Sequence, residues 1–135
     1  MSERSAATNR LVLLADDNDD TAFVIEAMLD MMDFAVERAR NGQDALEMSA
    51  GNAYALILMD IEMPVMDGLA ATKAIRSKEI AALAPAVPIV GITGHSDMGT
   101  RRLCQLAGMD DVLCKPFLME ELETRLKSVC AKRVN

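Results

Sequence analysis

Four apolar runs in the 135-residue sequence end in a polar residue that a buried strand does not need: Leu14-Ala15-Asp16-Asp17, Leu58-Met59-Asp60, Gly91-Ile92-Thr93 and Leu113-Cys114-Lys115. Taken singly, each has an ordinary explanation, since an aspartate after a strand caps the next helix and a lysine before proline is a loop residue. Together they form one chemical set of three carboxylates, a hydroxyl and an ammonium. Clustered carboxylates repel one another, and a hard dication bound through oxygen ligands relieves that repulsion. Mg²⁺ is the candidate ion. A carboxylate can also act as nucleophile toward phosphorus, giving an aspartyl phosphate, while Mg²⁺ and a lysine stabilise charge on the transferring oxygens. A threonine hydroxyl in the same place can hydrogen-bond the product.

These residues meet only if the runs are parallel strands, because in an open parallel α/β sheet the C-terminal strand ends share the edge where ligands bind. Apolar runs at 11–15, 34–39, 55–59, 87–93 and 112–114 alternate with segments of helical spacing, which implies five strands in an α/β fold. Ala22, Ile25, Met28, Leu29 and Met32 mark the buried face of a first helix, with Asp19 or Asp20 as its cap. Asn41-Gly42 breaks the chain, and Ala45, Leu46 and Met48 suggest a short second helix. Asp67-Gly68 opens a third, turning Leu69, Thr72 and Ile75 to the sheet and Lys73 and Arg76 to water. Its extension through Ile80, Ala81, Ala82 and Leu83 before Pro85 and Pro88 is left open. A fourth helix is expected between about Asp97 and Ala107, ended by Gly108. The last starts at Leu118 and buries Leu118, Leu122, Leu126 and Val129.

With the elements in place, the sequence resembles the receiver domain of response regulators from about Leu11 to the last helix. The resemblance rests on Ala15-Asp16-Asp17, the run from Met59 through Asp60-Ile61-Glu62-Met63-Pro64-Val65-Met66-Asp67 to Gly68, Ile92-Thr93-Gly94-His95, and Cys114-Lys115-Pro116-Phe117. It implies a doubly wound, flavodoxin-like (βα)5 sheet and makes Asp60 the phosphoacceptor, attacking a phosphohistidine on a histidine kinase or histidine phosphotransfer protein. It also implies that Asp17, Asp60 and the Glu62 carbonyl bind Mg²⁺, that Asp16 holds a metal-bound water, that Lys115 bridges to the acyl phosphate and that Thr93 moves toward it. Lys115-Pro116 resembles the family's cis peptide. By the same resemblance His95 lies at the pocket rim, although a solvated loop histidine fits the sequence equally well.

One departure concerns output. Many receivers carry an aromatic or histidine three places before the lysine, and here that place is Val112. A valine offers no ring to rotate, so a signal would pass through Thr93 and the loop from Gly94 to Met98. Two other readings compete. A haloacid-dehalogenase-like phosphatase also uses a strand-end aspartate, Mg²⁺, a hydroxyl and a lysine, but its nucleophile is followed two places on by a second aspartate, which Glu62 matches poorly. A non-phosphorylated pseudo-receiver would keep the fold as an interaction module, against which the intact set Asp16, Asp17, Asp60, Thr93 and Lys115 argues. Self-phosphorylation and dephosphorylation at Asp60 is the expected chemistry, without turnover of a separate substrate.

Composition narrows the remaining classes. Twenty-one acidic against 14 basic residues give a formal charge of −7, which disfavours direct nucleic-acid binding. Arg101-Arg102 and Lys132-Arg133 read as ordinary surface. Cys104, Cys114 and Cys130 form no CxxC pair and fit reduced, packed thiols. No apolar run approaches membrane-spanning length, and residues 1–10 are polar. The expectation is therefore one cytoplasmic domain over 1–135, a monomer or weak dimer, with its core at about 10–133 and residues 1–9 flexible. The eleven methionines read as flexible core filler.

Overall fold

The computed structural model describes residues 10–95 and 97–134, with side chains through 129. The expectations for residues 1–9, the Cys130 thiol and Lys132-Arg133 lie outside those limits. Strands β1 (Leu11–Ala15), β2 (Ala35–Ala39), β3 (Leu56–Asp60), β4 (Ile89–Thr93) and β5 (Asp111–Cys114) alternate with helices α1 (Asp19–Met31), α2 (Gly42–Gly51), α3 (Gly68–Ala82), α4 (Met98–Ala107) and α5 (Met119–Val134). All strand pairs are parallel, in the order β2-β1-β3-β4-β5.

Side chains along each strand alternate between two cores, as a two-residue period requires. Leu13, Ala15, Ile57, Met59 and Ile89 pack with Ala45, Leu46, Ala71, Ile75 and Cys104, so α2, α3 and α4 cover one face. Val12, Leu14, Leu58, Val90 and Ile92 pack with Ala22, Ile25, Leu29, Leu122, Leu126 and Val129, so α1 and α5 cover the other. This is the doubly wound arrangement that the alternation of runs predicts. Burial on both faces explains why β3 is uninterrupted Leu-Ile-Leu-Met rather than alternating with polar residues. Each fully buried leucine or isoleucine here contributes roughly 1.5–3 kcal/mol.

Four helices begin in the same way at the C-terminal edge of the sheet. Asn18, Asn41, Asp67 and Asp97 are the caps, and their side chains accept from the amides of Thr21, Asp44, Ala70 and Thr100, each at 2.8 Å. The cap of α1 is thus Asn18, not Asp19 or Asp20. Both aspartates lie in the first turn, where a carboxylate gains from the helix dipole without capping. At α5 the Leu118 amide donates to Glu121 Oε1 at 2.8 Å. Leu118 itself is exposed rather than buried, because it stands just before the helix and outside its periodic face.

α3 continues through Ala82 and ends on Leu83 with φ of 54°. Near its end, Arg76 does not face water as its spacing predicts. Its Nε donates to the Gly108 carbonyl at 2.9 Å and Nη1 to the Val87 carbonyl at 2.8 Å, while ion pairs reach Glu79 at 2.9 Å and Asp110 at 3.1 Å. One guanidinium thereby ties α3 to the strand entry at 87–89 and to the turn between α4 and β5. The aliphatic stem covers apolar surface while the planar fork finds five-donor geometry among fixed acceptors.

Replacing Arg76 with methionine keeps the stem but removes the cation from Asp110 and Glu79 in a largely covered site, where they keep the amides of Ile89 and Val87. The expected loss is about 1–3 kcal/mol in urea unfolding, discounted from a fully buried pair because all three side chains retain some solvent contact. A loss under 0.5 kcal/mol would show that the network is surface decoration.

Candidate phosphoacceptor site

The strand-end residues meet at one edge. Asp60 is the last residue of β3 and pairs with Ile92, so it lies beside the end of β4, where Thr93 follows. Thr93 pairs with Cys114, which puts Lys115 just beyond β5, and the Lys115 amide donates to the Thr93 carbonyl at 2.7 Å. Ala15 pairs with Met59, which brings Asp16 and Asp17 alongside Asp60. One carboxylate oxygen from each of Asp16, Asp17 and Asp60 lies within 4.8 Å of the others.

Burial separates their roles. Asp16, Asp60 and Thr93 are buried, and Asp17 is exposed at the rim. Asp16 Oδ1 accepts the Asn18 amide at 2.9 Å, whereas Asp16 Oδ2 is buried without a hydrogen-bond partner among the described residues. A buried carboxylate oxygen left unpaired is costly. A hard cation or its bound water fits that vacancy of hydrogen bonding, and the all-oxygen donor set suits Mg²⁺. Asp60 Oδ1 accepts the Glu62 amide at 3.0 Å, and Asp60 Oδ2 lies 3.4 Å from Lys115 Nζ. Burial pushes the Asp60 carboxyl up to about 6, against the Glu62 amide and the Lys115 ammonium, which pull it down, while the charge of Asp16 adds to the rise.

The Glu62 side chain is exposed. Sequence reading did not find its partner: His95 Nε2 stands 3.5 Å from Glu62 Oε2, so His95 does lie at the rim. The His95 amide donates to Thr93 Oγ1 at 3.0 Å. Val112 is buried in the core with Ile89, Cys104 and Met109. The Lys115-Pro116 bond is cis.

Two features behind Asp60 carry geometric constraint. A Cβ on Gly68 would stand 2.2 Å from the Asp60 carbonyl oxygen, so the start of α3 can approach the end of β3 only as glycine. Val65 has φ of 70°, and the Met66 amide donates to the Pro64 carbonyl at 2.7 Å. These are the marks of a γ-turn with positive φ, a strained conformation for a β-branched residue. The turn is held from below, since the Gly42 amide donates to the Met66 carbonyl at 2.8 Å.

The family model described as Response regulator receiver domain matches residues 12–127. The chain belongs to the response regulator receiver family. Among curated proteins it is 38% identical to Two-component system protein A of Emericella nidulans over 88% of this chain and 17% of that protein. It is 36% identical to Sensor protein GacS of Pseudomonas syringae pv. syringae over 82% of this chain and 12% of that protein. Against Transcriptional regulatory protein PrrA of Mycobacterium tuberculosis it is 33% identical over 96% of this chain and 53% of the other. The chain thus spans about half of that regulator and much less of the other two.

Solved receiver domains share the fold. That of sensor histidine kinase PA1611 from Pseudomonas aeruginosa PAO1, with a magnesium ion coordinated in its active site cleft, has a TM-score of 0.82 at 36% identity, covering 92% of this chain and 99% of that one. A chain of the co-crystal structure of the Saccharomyces cerevisiae histidine phosphotransfer signaling protein Ypd1 and the receiver domain of its downstream response regulator Ssk1 has a TM-score of 0.86 at 27% identity, covering 93% and 91%.

Two stability measurements follow from this receiver site. With its pKa raised to about 6, Asp60 favours the fold while protonated, and that contribution is lost as pH rises from the ordinary carboxylate range through about 6. In metal-free buffer Asp60→Asn should therefore gain on wild type as pH rises from 4 to 7, reaching on the order of 2 kcal/mol, with little difference below pH 4. A pH-independent difference would contradict it. Separately, Val65→Gly should stabilise by about 0.5–1 kcal/mol, because relief of backbone strain exceeds the entropy that glycine adds to the unfolded chain. Equal or lower stability would remove the strain assignment.

Proposed function

We propose that the chain is a phosphoacceptor in two-component or phosphorelay signalling, with Asp60 taking a phosphoryl group from a phosphohistidine. The observation that carries this reading is the convergence of Asp16, Asp17 and Asp60 within 4.8 Å, with Lys115 Nζ 3.4 Å from Asp60 Oδ2. Asp60 attacks phosphorus through a carboxylate oxygen, so an O–P bond forms as the N–P bond breaks and the donor imidazole leaves. Lys115 follows the charge onto the phosphoryl oxygens, and the Thr93 hydroxyl donates to one of them. The Glu62 amide holds the non-attacking oxygen of Asp60 in place.

Asp17, Asp60 and the Glu62 carbonyl would hold Mg²⁺, with Asp16 on a metal-bound water. When bound, the ion neutralises the clustered carboxylates and stabilises charge on the transferring phosphoryl group. The partner is a histidine kinase or a histidine phosphotransfer protein, in keeping with relatives that include sensor kinases and with a structural neighbour crystallised with a phosphotransfer protein. Residues 1–135 act as a single receiver unit in this reading, with reduced thiols suited to the cytoplasm. Among the described residues no helix is long and apolar enough to cross a membrane. The reaction is self-phosphorylation and dephosphorylation at Asp60 rather than turnover of a separate substrate. A haloacid-dehalogenase-like phosphatase is not favoured, because the side chain two places after Asp60 is Glu62, exposed and directed at His95.

Labelling with radioactive acetyl phosphate should require both Mg²⁺ and Asp60. Wild type is expected to incorporate label that EDTA abolishes, and Asp60→Asn to incorporate none while its circular dichroism is unchanged. A folded Asp60→Asn protein that labels as well as wild type would sink the assignment.

A further inference from the structure

The acidic loop is held by a residue outside the acidic set. Arg38, next to last in β2 and paired with Leu14 of β1, has a largely covered side chain, 15% exposed. Its Nε and Nη2 donate to the backbone carbonyl of Asp16 at 3.1 and 2.8 Å, and its Nη1 donates to Asp19 Oδ1 at 2.8 Å. One planar fork therefore spans the residue at the end of β1 and the first residue of α1, with Asp17 and Asn18 between them. On the neighbouring backbone the Asp16 amide donates to the Ala39 carbonyl at 3.0 Å. Asp16 is thus fixed at both its amide and its carbonyl from β2, and its side chain is fixed at Oδ1 by the Asn18 amide.

We propose that Arg38 is a positioning residue for the divalent-cation site, holding Asp16 and Asp17 against their mutual repulsion in the geometry the ion needs. This rests on the reading of Asp16, Asp17 and Asp60 as that site. The guanidinium itself does not face the ion. It meets the carbonyl of Asp16 rather than its carboxylate, and its charge is paired with Asp19, which also receives Arg40 Nη1 at 2.7 Å. The two Arg38 bonds to one carbonyl constrain the direction in which the loop leaves β1, and that direction sets where both carboxylates point. Asp19 belongs to the clamp: its Oδ1 accepts from both Arg38 and Arg40. Lysine at this position could supply charge but not a fork reaching two acceptors in one plane.

Electrostatics and positioning predict opposite signs. A cation beside a metal site weakens metal binding, so if Arg38 acted by charge alone its removal would tighten binding. If it positions the carboxylates, its removal weakens binding, in the range of about tenfold that metal sites lose when a supporting hydrogen bond is cut. The experiment uses Mn²⁺ as probe, followed by loss of the free-ion paramagnetic resonance signal, with Mg²⁺ titrated by calorimetry. Arg38→Met preserves length and strand compatibility. It is expected to fold and to raise the dissociation constant for both ions about tenfold, with Arg38→Lys weakened as well despite its retained charge. A dissociation constant within twofold of wild type, or lower, in either folded variant overturns the proposal. Should Arg38→Met not fold, Arg38→Lys decides alone. Wild-type protein that binds neither ion would overturn the reading of the acidic site itself, and this role with it, whereas wild-type binding with unchanged variants removes only the role of Arg38.

Discussion

Two carboxylates buried at one sheet edge, Asp16 and Asp60, set the terms for the rest of the structure. Desolvation is the dominant cost, as the raised pKa of Asp60 shows, and the charge of Asp16 adds to it. The protein offsets this only in part. Lys115 and the Glu62 amide serve Asp60, the Asn18 amide serves one oxygen of Asp16, and the other oxygen of Asp16 is left buried without a partner among the described residues. A site satisfied by its own protein groups would have no affinity left for a cation. The incomplete satisfaction suits the edge to the cation proposed for it, and hydrogen bonds from Asn18 and Arg38 tie down the loop that carries Asp16 and Asp17.

Those loops are held by local chemistry rather than by the core. Side-chain caps at Asn18, Asn41, Asp67 and Asp97 fix the start of each following helix, and Gly68 allows α3 to begin in contact with the backbone of Asp60. At the opposite edge the molecule is built differently. Arg76 saturates the carbonyls of Val87 and Gly108 and pairs with Glu79 and Asp110, leaving an edge bound by direct contacts. The sheet therefore has an ion-pair network made by the protein itself at one end and, at the other, a buried carboxylate oxygen with no partner among the described residues. This division lets the reactive end hold unfavourable charge without opening the domain.

The sequence made much of this legible, and the reasons differ by element. Strands β1, β3 and β4 were readable because burial on both faces demands apolar runs, and β3 ends where polarity changes at Asp60. That Asp16, Asp17, Asp60, Thr93 and Lys115 meet was readable because strand ends share one edge in a parallel sheet. Periodicity failed at Arg76, since a helix pattern shows which way a residue points but not that a turn from Gly108 and the strand entry at Val87 come to meet it. It failed at Leu118 because apolar character was taken for burial one residue ahead of the helix. The cap of α1 is Asn18 rather than Asp19 or Asp20 because five acidic or amide residues run in succession from Asp16 to Asp20, each suited to a cap, and only backbone geometry selects among them. The pairing of Glu62 with His95 and the fork of Arg38 on Asp16 are contacts between separate loops and strands. No local pattern announces either one.

The same hydrogen bonds indicate how occupancy of the site would leave it. Thr93 Oγ1 accepts the His95 amide, and the Thr93 carbonyl accepts the Lys115 amide, so the threonine is tied to both neighbouring loops before any phosphoryl group arrives. In the proposed phosphorylated state its hydroxyl donates toward the phosphoryl oxygen. Movement of Thr93 in that direction draws on the His95 amide, and the next fixed point along the chain is Asp97, whose side chain caps α4. Val112 cannot share in the motion as a rotating ring would, because it is buried beside Cys104 and Met109 and is limited in χ1. The path that remains runs toward the start of α4, where Gly94, His95, Asp97 and Met98 are exposed, rather than through the strand that carries Val112. A chain without the ring can still couple site to surface, provided that the start of α4 has two positions of similar energy.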